Sequence, residues 1–416
     1  MNPSQHLLII GNGCAGTETA FAARLNGWSG PISLVGDEPL SPYHRPPLSK
    51  AYLMGETSVE SLSLRADMTY EKERITLLSG RRAMHIDRKN LSVALSDGSP
   101  LTYDKLVLAL GGRPRPLPAA EEFHGAVGNF HYLRTHADAD AIRSNFGAGR
   151  NLVIIGGGYI GLEVAAAAIK SSMNVVVLEA APRVLARVTA PPVAAFYETI
   201  HREAGVDIRT GEQVERLECS ADGRRVIAVL CTNGVRLPAD LVVAGIGLQP
   251  NSQLASDAGL QVEDGILVDA ELRTNDEAIM AIGDCARYFS PLYERSVRIE
   301  SVPNALEQAR KAAAILCGKP PRADAAPWFW SDQYDLNLKM VGLSQNYDQL
   351  VMRGSPSQKS FSAFYLSGNR VLAVDTVNRP LEFNLSKQLI TDRQPVDAKQ
   401  LANDEIPLKQ LISLMK

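Results

Sequence analysis

Four apolar residues that run into a glycine-spaced turn and then a helical pattern, Leu7-Leu8-Ile9-Ile10-Gly11-Asn12-Gly13-Cys14-Ala15-Gly16, constrain this chain more than any other stretch. Apolar β-formers make a buried parallel strand. Gly11 permits the tight turn, Gly13 lets the backbone approach a pyrophosphate, and Gly16 lets the following helix pack close with its amino end toward the phosphates. Residues 32–35 supply a second short strand. Asp37 follows about 20 residues after the loop, where a carboxylate can accept from ribose hydroxyls. The pattern returns as Leu152-Val153-Ile154-Ile155-Gly156-Gly157-Gly158-Tyr159-Ile160-Gly161, with Val175-Val176-Val177-Leu178-Glu179 as its second strand and terminal acid. One such glycine turn is weak evidence, because glycine-rich turns also serve packing alone. Strand, glycines, helix and acid coinciding twice predict two dinucleotide-binding units.

A chain of 416 residues has room for two or three domains, each with its own core. With 45% hydrophobic and 21% charged residues it reads as an ordinary globular protein, so neither disorder nor a membrane span is expected. No apolar run approaches the roughly 20 residues of a bilayer helix. The first strand starts within a few residues of Met1, which leaves no room for a signal peptide and makes the cytoplasm the expected compartment. A net charge of −3 argues against general nucleic-acid binding. Cys14, Cys219, Cys231, Cys285 and Cys317 lack any C-x-x-C spacing and are read as small buried residues in a reducing compartment, not as a redox pair or metal site.

Along the chain, residues 17–25 have helix-forming composition. In Pro42-Tyr43-His44-Arg45-Pro46-Pro47-Leu48-Ser49-Lys50 the proline pair forces an extended or turn conformation before a helix that starts at Leu48. This stiff segment is either a rigid surface loop or a device that holds Lys50 above a nucleotide site. Residues 83–87, 91–95 and 103–110 read as strands, and Gly111-Gly112-Arg113-Pro114-Arg115-Pro116, glycine followed by alternating proline, marks a domain crossing. Helices are expected at 137–146 and 189–204, an apolar run at 240–247 precedes a second crossing, and an apolar strand at 278–283 ends in Asp284 before a helix at 304–316. After Pro320-Pro321 and Pro327, residues 339–343, 349–353, 360–365 and 371–374 read as antiparallel strands, followed by two helices at 380–391 and 397–403.

Two cradles separated by an insertion, with Gly283-Asp284-Cys285-Ala286 late in the chain, resemble the two-dinucleotide flavoprotein reductases of the glutathione-reductase fold. Arg45-Pro46-Pro47-Leu48-Ser49-Lys50, residues 156–163 and Pro327-Trp328-Phe329-Trp330 sharpen this to the ferredoxin reductases that serve bacterial oxygenases, and the resemblance runs essentially end to end, including Val374-Asp375-Thr376-Val377-Asn378. It implies an α/β fold with two Rossmann-like dinucleotide-binding domains and an α+β C-terminal domain. A discontinuous FAD-binding domain would span 1–114 and 247–326, an NAD-binding domain 115–246, and an antiparallel-sheet domain 327–416. Carried to matching positions, Gly11, Gly13, Ala15, Gly16, Asp37, Lys50, Ala83, Arg134, Gly283, Asp284 and Val302 would contact FAD. Gly156, Gly158, Tyr159, Ile160, Gly161, Glu163, Glu179 and Gly247 would contact NADH. Two departures are small: Leu110 stands where the family usually has threonine, and Ala83 replaces a commoner valine.

Hydride transfer needs the nicotinamide C4 roughly 3–3.5 Å from flavin N5. The resemblance implies that Lys50 and Glu163 meet there as a catalytic ion pair, Lys50 stabilising negative charge on reduced flavin and Glu163 orienting the carboxamide of NADH. The alternative is a solvated lysine and an ordinary helix glutamate. Glu179 can accept from both ribose hydroxyls and repels a 2′-phosphate, which indicates NADH over NADPH; Arg183 and Arg187 nearby weaken that preference slightly. Asp284 can bond ribityl hydroxyls or simply serve a turn, and the helix amino end near Val302 favours negative charge at the N1 side of the flavin. Because Pro46-Pro47-Leu48-Ser49-Lys50 carries no thiol, electrons are expected to leave singly to an external carrier; the resemblance implies that this carrier is a [2Fe-2S] ferredoxin that feeds a cytochrome P450 monooxygenase. A rubredoxin reductase, a Rieske dioxygenase reductase, and a redox-sensing flavoprotein of the apoptosis-inducing-factor type are the alternatives. Trp330 is the candidate electron exit or a packed aromatic. Arg310, Lys339 and Lys387 are a candidate rim for an acidic partner or solvated charges.

Overall fold

The computed structural model describes residues 4–121 and 127–414. The chain falls into two compact units, one built from Met1–His44, Glu60–Arg113 and Gln249–Pro327, the other from Arg45–Val59, Pro114–Leu248 and Trp328–Lys416.

In the first unit the run Leu7–Ile10 is the central strand of a five-stranded parallel sheet, with Ile32–Val35 then Ile75–Leu78 on one side and Lys105–Leu108 then Ile279–Ala281 on the other. Side chains alternate across a strand, so this run feeds two cores. Leu7 and Ile9 join Ala20, Ala23, Ala309 and Ala313, where the helices Cys14–Asn26 and Val302–Leu316 pack through small residues. Leu8 and Ile10 join Ile86, Val93 and Leu95 of the antiparallel sheet Ala83–Asp87, Ser92–Leu95, Pro100–Thr102. A strand covered on both faces has no solvated side, which is why its sequence is unbroken hydrophobic.

The second unit repeats the plan. Its parallel sheet runs in the order Asp207–Thr210, Asn174–Glu179, Asn151–Ile155, Leu241–Ala244, Phe130–Tyr132. The helix Tyr159–Lys170 follows the glycine turn and is buried along most of its length, as its alanine-rich sequence allows. Val153 and Ile155 pack toward Val226, Val229 and Leu237 of a three-stranded antiparallel sheet. The C-terminal stretch adds a five-stranded antiparallel sheet in the order Trp328–Gln333, Leu336–Gly342, Arg370–Val377, Ser360–Ser367, Gln349–Ser355. Buried Arg353 ties the tail to this sheet: its Nε donates to Glu382 Oε1 at 2.7 Å and its Nη2 to the Ile406 carbonyl at 2.6 Å.

Three details differ from the sequence reading. The expected helix from Leu48 is a 3-10 turn at Pro46–Ser49, whose two prolines fit the start of a turn where no N–H is needed. Lys50, at φ −130°, already leaves the helical region. The aromatic stretch at the domain junction is a strand, Trp328–Gln333, because its residues pair throughout with Leu336–Gly342. A third terminal helix, Leu408–Leu414, lies beyond the two expected.

Candidate active site

Both glycine turns have the same construction. Gly11 takes φ +106°, and a Cβ there would sit 2.1 Å from the Ala109 carbonyl oxygen; Gly156 takes φ +110°, and a Cβ would sit 2.4 Å from that of Gly245. At Gly16 and Gly161, a Cβ would come within 1.8 and 2.1 Å of the carbonyl oxygens of Gly11 and Gly156. These four glycines are demanded by the protein's own packing. Gly13 and Gly158 are different, since a Cβ on either meets nothing within 4 Å. Each stands at the start of its helix, with no side chain capping the first turn. Open space in front of uncapped helix N–H groups suits an anion approaching the backbone, so both cradles fit the diphosphate of a dinucleotide.

The cradles differ where the ribose would be read. At the end of Asn174–Glu179, the Glu179 carboxylate accepts from the Gly157 N–H at 2.8 Å and the Ala181 N–H at 2.7 Å, which fixes its orientation and leaves lone pairs for hydroxyls. In the first cradle the bulk is exchanged: Asn12 occupies the loop and Gly36 the strand end, where a Cβ would land 2.0 Å from the Asn12 side chain. The carboxylate is therefore displaced to exposed Asp37. Arg183 donates to the Ala186 carbonyl of its own loop at 2.9 Å, whereas Arg187 is exposed.

Around the first cradle, Gly283 lies next to Ala15, a Cβ on it being 3.4 Å from the Ala15 methyl, and its N–H donates to Gln308 Oε1 at 2.7 Å. Asp284 follows within the turn Gly283–Cys285, and Val302 opens the helix Val302–Leu316, whose cap is Ser301. Ala83 begins its strand and is half-buried. In the second unit, Ile160 is 47% exposed on the first turn of the cradle helix, an apolar side chain presented where a nucleotide would lie. Gly247, at φ +117°, accepts from the Arg115 N–H at 2.9 Å. Lys50 and Arg134 belong to this unit, and the Arg134 carbonyl accepts from Arg45 at 2.7 Å.

Glu163 is the most heavily bonded carboxylate among the predicted residues. Its Oε2 accepts from Lys50 Nζ at 2.6 Å and from Ser49 Oγ at 2.5 Å, and its Oε1 accepts from Ser331 Oγ at 2.6 Å. The glutamate side chain is 4% exposed and the lysine 21%, so this is a shielded ion pair open at the lysine end. Sequence reasoning missed Ser49 and Ser331. Ser49 adjoins Lys50, but Ser331 reaches Glu163 only because Trp328–Gln333 is a strand packed on the cradle helix.

An aromatic face occupies the start of the C-terminal sheet. Trp330 lies 5.7 Å from Trp328 and 6.1 Å from Phe329 between ring centroids, and Phe329 lies 5.1 Å from Tyr159. Lys387 Nζ sits 4.3 Å from the Trp328 ring and 4.4 Å from Phe383, and Lys339 Nζ sits 5.4 Å from Phe383. These two lysines share one face. Arg310 lies in the other unit, 2.6 Å from Glu18.

Comparison with known proteins agrees with this geometry. Residues 5–309 match the pyridine nucleotide-disulphide oxidoreductase model, and residues 328–412 match the reductase C-terminal model. The chain is 61% identical over 416 residues to putidaredoxin reductase CamA of Pseudomonas putida, covering all of this chain and 99% of that one. It is 43% identical to rhodocoxin reductase of Rhodococcus erythropolis, covering 99% and 95%. Among solved structures, the covalent putidaredoxin reductase–putidaredoxin complex superimposes with a TM-score of 0.98 at 60% identity, covering 100% of this chain and 99% of that one. None of the five cysteines forms a disulfide. With the matched model covering well over half its length and both cradles in place, this chain belongs to the pyridine nucleotide-disulphide oxidoreductase family.

Proposed function

We propose that this chain is an NADH-dependent ferredoxin reductase that serves a [2Fe-2S] ferredoxin of the putidaredoxin kind, which in turn feeds a cytochrome P450 monooxygenase. The observation that carries the reading is the pair of open glycines, Gly13 and Gly158, each before an uncapped helix in a chain 61% identical throughout to putidaredoxin reductase. Bound FAD supplies the conversion of one hydride from NADH into two single electrons.

The chain's residues do the rest. The first cradle, with Asp37, Ala15, Gly283, Asp284, Val302 and Ala83, holds FAD together with Arg134, and the second, with Tyr159, Ile160 and Gly247, holds NADH. In domain terms, 1–114 and 247–326 bind FAD, 115–246 bind NADH and 327–416 form the C-terminal domain. Glu179 accepts from both ribose hydroxyls and repels a 2′-phosphate, which selects NADH. Lys50 brings a positive charge to the flavin and Glu163 orients the carboxamide, each held in place by the other. Trp330 lies on the electron exit, and Lys339 and Lys387 present positive charge to an acidic partner; Arg310, in the other unit, is a weaker candidate because Glu18 already matches its charge. No helix among the described residues is long and apolar enough to cross a membrane, and five free thiols suit the reducing cytoplasm, where we place the protein.

The test is reduction of cytochrome c by NADH with and without [2Fe-2S] ferredoxins and rubredoxins. A rate raised by a putidaredoxin-like ferredoxin is expected. A rate that ignores every added carrier would remove the electron-shuttle reading, and a response to rubredoxin alone would replace the partner.

A further inference from the structure

His201 is fully buried near the end of the helix Pro191–Glu203, and the reaction described above gives it no role. Burial lowers its pKa, opposed by its bond to Gln333, so the ring is neutral at physiological pH. It lies in an unbroken line of hydrogen bonds that ends on Glu163. Tyr334 Oη is 2.9 Å from His201 Nδ1, His201 Nε2 is 2.8 Å from Gln333 Oε1, Gln333 Nε2 is 3.1 Å from Ser331 Oγ, and Ser331 Oγ is 2.6 Å from Glu163 Oε1.

The chemistry of the groups fixes the direction of every bond. An ionised carboxylate only accepts, so the single Ser331 proton goes to Glu163. Ser331 then needs a donor, which must be the Gln333 amide nitrogen; this turns the Gln333 carbonyl toward the imidazole. A carbonyl only accepts, so the His201 proton is on Nε2. In the neutral ring Nδ1 is then an acceptor, and the Tyr334 hydroxyl donates to it. All four donors point toward the carboxylate, an arrangement in which each bond polarises the next. A backbone observation agrees: Tyr334 sits in the turn after Trp328–Gln333 at φ +56°, a conformation unfavourable for a bulky side chain, and its hydroxyl reaches the buried ring from there.

We propose that His201 is a positioning residue for Glu163, acting through Gln333 and Ser331 to hold Oε1 on its serine while Oε2 faces Lys50. The line is not a proton wire, because a carboxamide interrupts it. Its effect is orientation: a carboxylate gripped from both sides is held toward the lysine, and the grip originates on the helix Pro191–Glu203, outside the glycine turn and its helix. The inference rests on the role given to Glu163 above.

Two measurements on the FAD-loaded protein test it. Nitrogen-15 NMR of labelled histidine should show His201 as the neutral Nε2–H tautomer with Nδ1 accepting, and Tyr334→Phe should shift the Nδ1 resonance. Stopped-flow reduction by saturating NADH should slow about 10-fold in Ser331→Ala, the loss of one bond to a charged group. It should slow further in Gln333→Glu, whose second carboxylate competes for the serine proton, several-fold in His201→Phe, which leaves the Gln333 carbonyl without its donor, and only slightly in Tyr334→Phe. Flavin content should stay at the parent value in all four, and a parent rate in His201→Phe would overturn the role given to His201. If Glu163→Gln is slow but Ser331→Ala and Gln333→Glu reduce at the parent rate, or if His201 carries its proton on Nδ1, the positioning role is overturned. If Glu163→Gln itself is as fast as the parent, the reading of Glu163 falls and this inference falls with it.

Discussion

Lys50 Nζ lies 2.6 Å from Glu163 Oε2, an ion pair whose partners are 113 residues apart in sequence and whose carboxylate is 4% exposed. Removing one partner leaves the other shielded and uncompensated. Glu163→Gln should lower flavin reduction at saturating NADH about 10- to 100-fold, because the charge that orients the nicotinamide and holds Lys50 is lost. Lys50→Met should in addition destabilise the fold, near the lower end of about 3–5 kcal/mol, since two serine hydroxyls still bond the stranded carboxylate. Stopped-flow absorbance and denaturant midpoints on the same preparations separate the effects. Reduction at the parent rate in both variants would dismiss the pair from catalysis.

The glycines divide by what a methyl group would meet, and the division predicts opposite phenotypes. Gly13→Ala and Gly158→Ala add a Cβ into open space, so both proteins should fold with unchanged circular dichroism. Gly13→Ala should lose FAD on purification, and Gly158→Ala should keep it while the KM for NADH rises at least about 10-fold. Gly16→Ala, with its Cβ 1.8 Å from the Gly11 carbonyl oxygen, should fail to accumulate as folded protein. Tight FAD retention by Gly13→Ala would show that the open space does not receive the diphosphate.

Much of this was legible in the chain because its determinants are local. The buried strands announce themselves as unbroken apolar runs, and the packing glycines occur at fixed offsets from them. Lys50 and Glu163 are legible only through a resemblance, and the structure brings them together as an ion pair. Ser331, Gln333 and His201 were not legible, because their value lies in pairings between a helix, a hairpin and a cradle that no spacing encodes. Two prolines suit a 3-10 turn and a helix start alike, so the sequence does not separate the two at Pro46–Ser49, and only the dihedral angles of Lys50 decide. Charge alone groups Arg310 with Lys339 and Lys387, yet its guanidinium is matched by Glu18 while the two lysines sit over Phe383.

Glu179 is held by two backbone N–H groups, so its carboxylate cannot swing aside to admit a 2′-phosphate. The parent should therefore use NADH at least about 100-fold more efficiently than NADPH, and Glu179→Ala should narrow that ratio about 10-fold or more while raising the KM for NADH. Steady-state kcat/KM with the two nucleotides checks it. Equal efficiency in the parent would reject the assignment.

Lys387 stacks over Trp328 and Phe383, which keeps its charge beside the aromatic face that carries Trp330. Lys387→Glu should raise the KM for an acidic [2Fe-2S] ferredoxin about 10-fold at low salt and much less at high salt, with flavin reduction by NADH unaffected. Arg310→Ala should shift it less, its charge being already matched by Glu18. Ferredoxin-linked cytochrome c reduction at two ionic strengths measures this. A loss independent of salt would mean that Lys387 acts through packing alone.

Asp375 is a buried carboxyl whose Oδ2 accepts from Tyr365 Oη at 2.5 Å, while Tyr365 accepts from the Ala190 N–H at 2.7 Å. Burial pushes its pKa up from 3.8 to about 7, partly offset by the tyrosine's bond, and burial also raises the Tyr365 phenol, which keeps its proton. The folded protein therefore holds a proton on Asp375 that the unfolded chain has released between about pH 4 and 7. The stability this group contributes is full below about pH 4 and declines as pH rises through about 7, by about 4 kcal/mol in all. Neutral His201 has the opposite sign, because its lowered pKa makes its contribution fade as pH falls. Only a difference between parent and variant isolates the aspartate. Asp375→Asn should gain roughly 2–3 kcal/mol on the parent between pH 5 and pH 8, read from denaturant midpoints of the FAD-loaded proteins. A parent and variant whose stabilities run parallel across that range would mean that Asp375 is ionised inside the fold, with a compensating charge beside it.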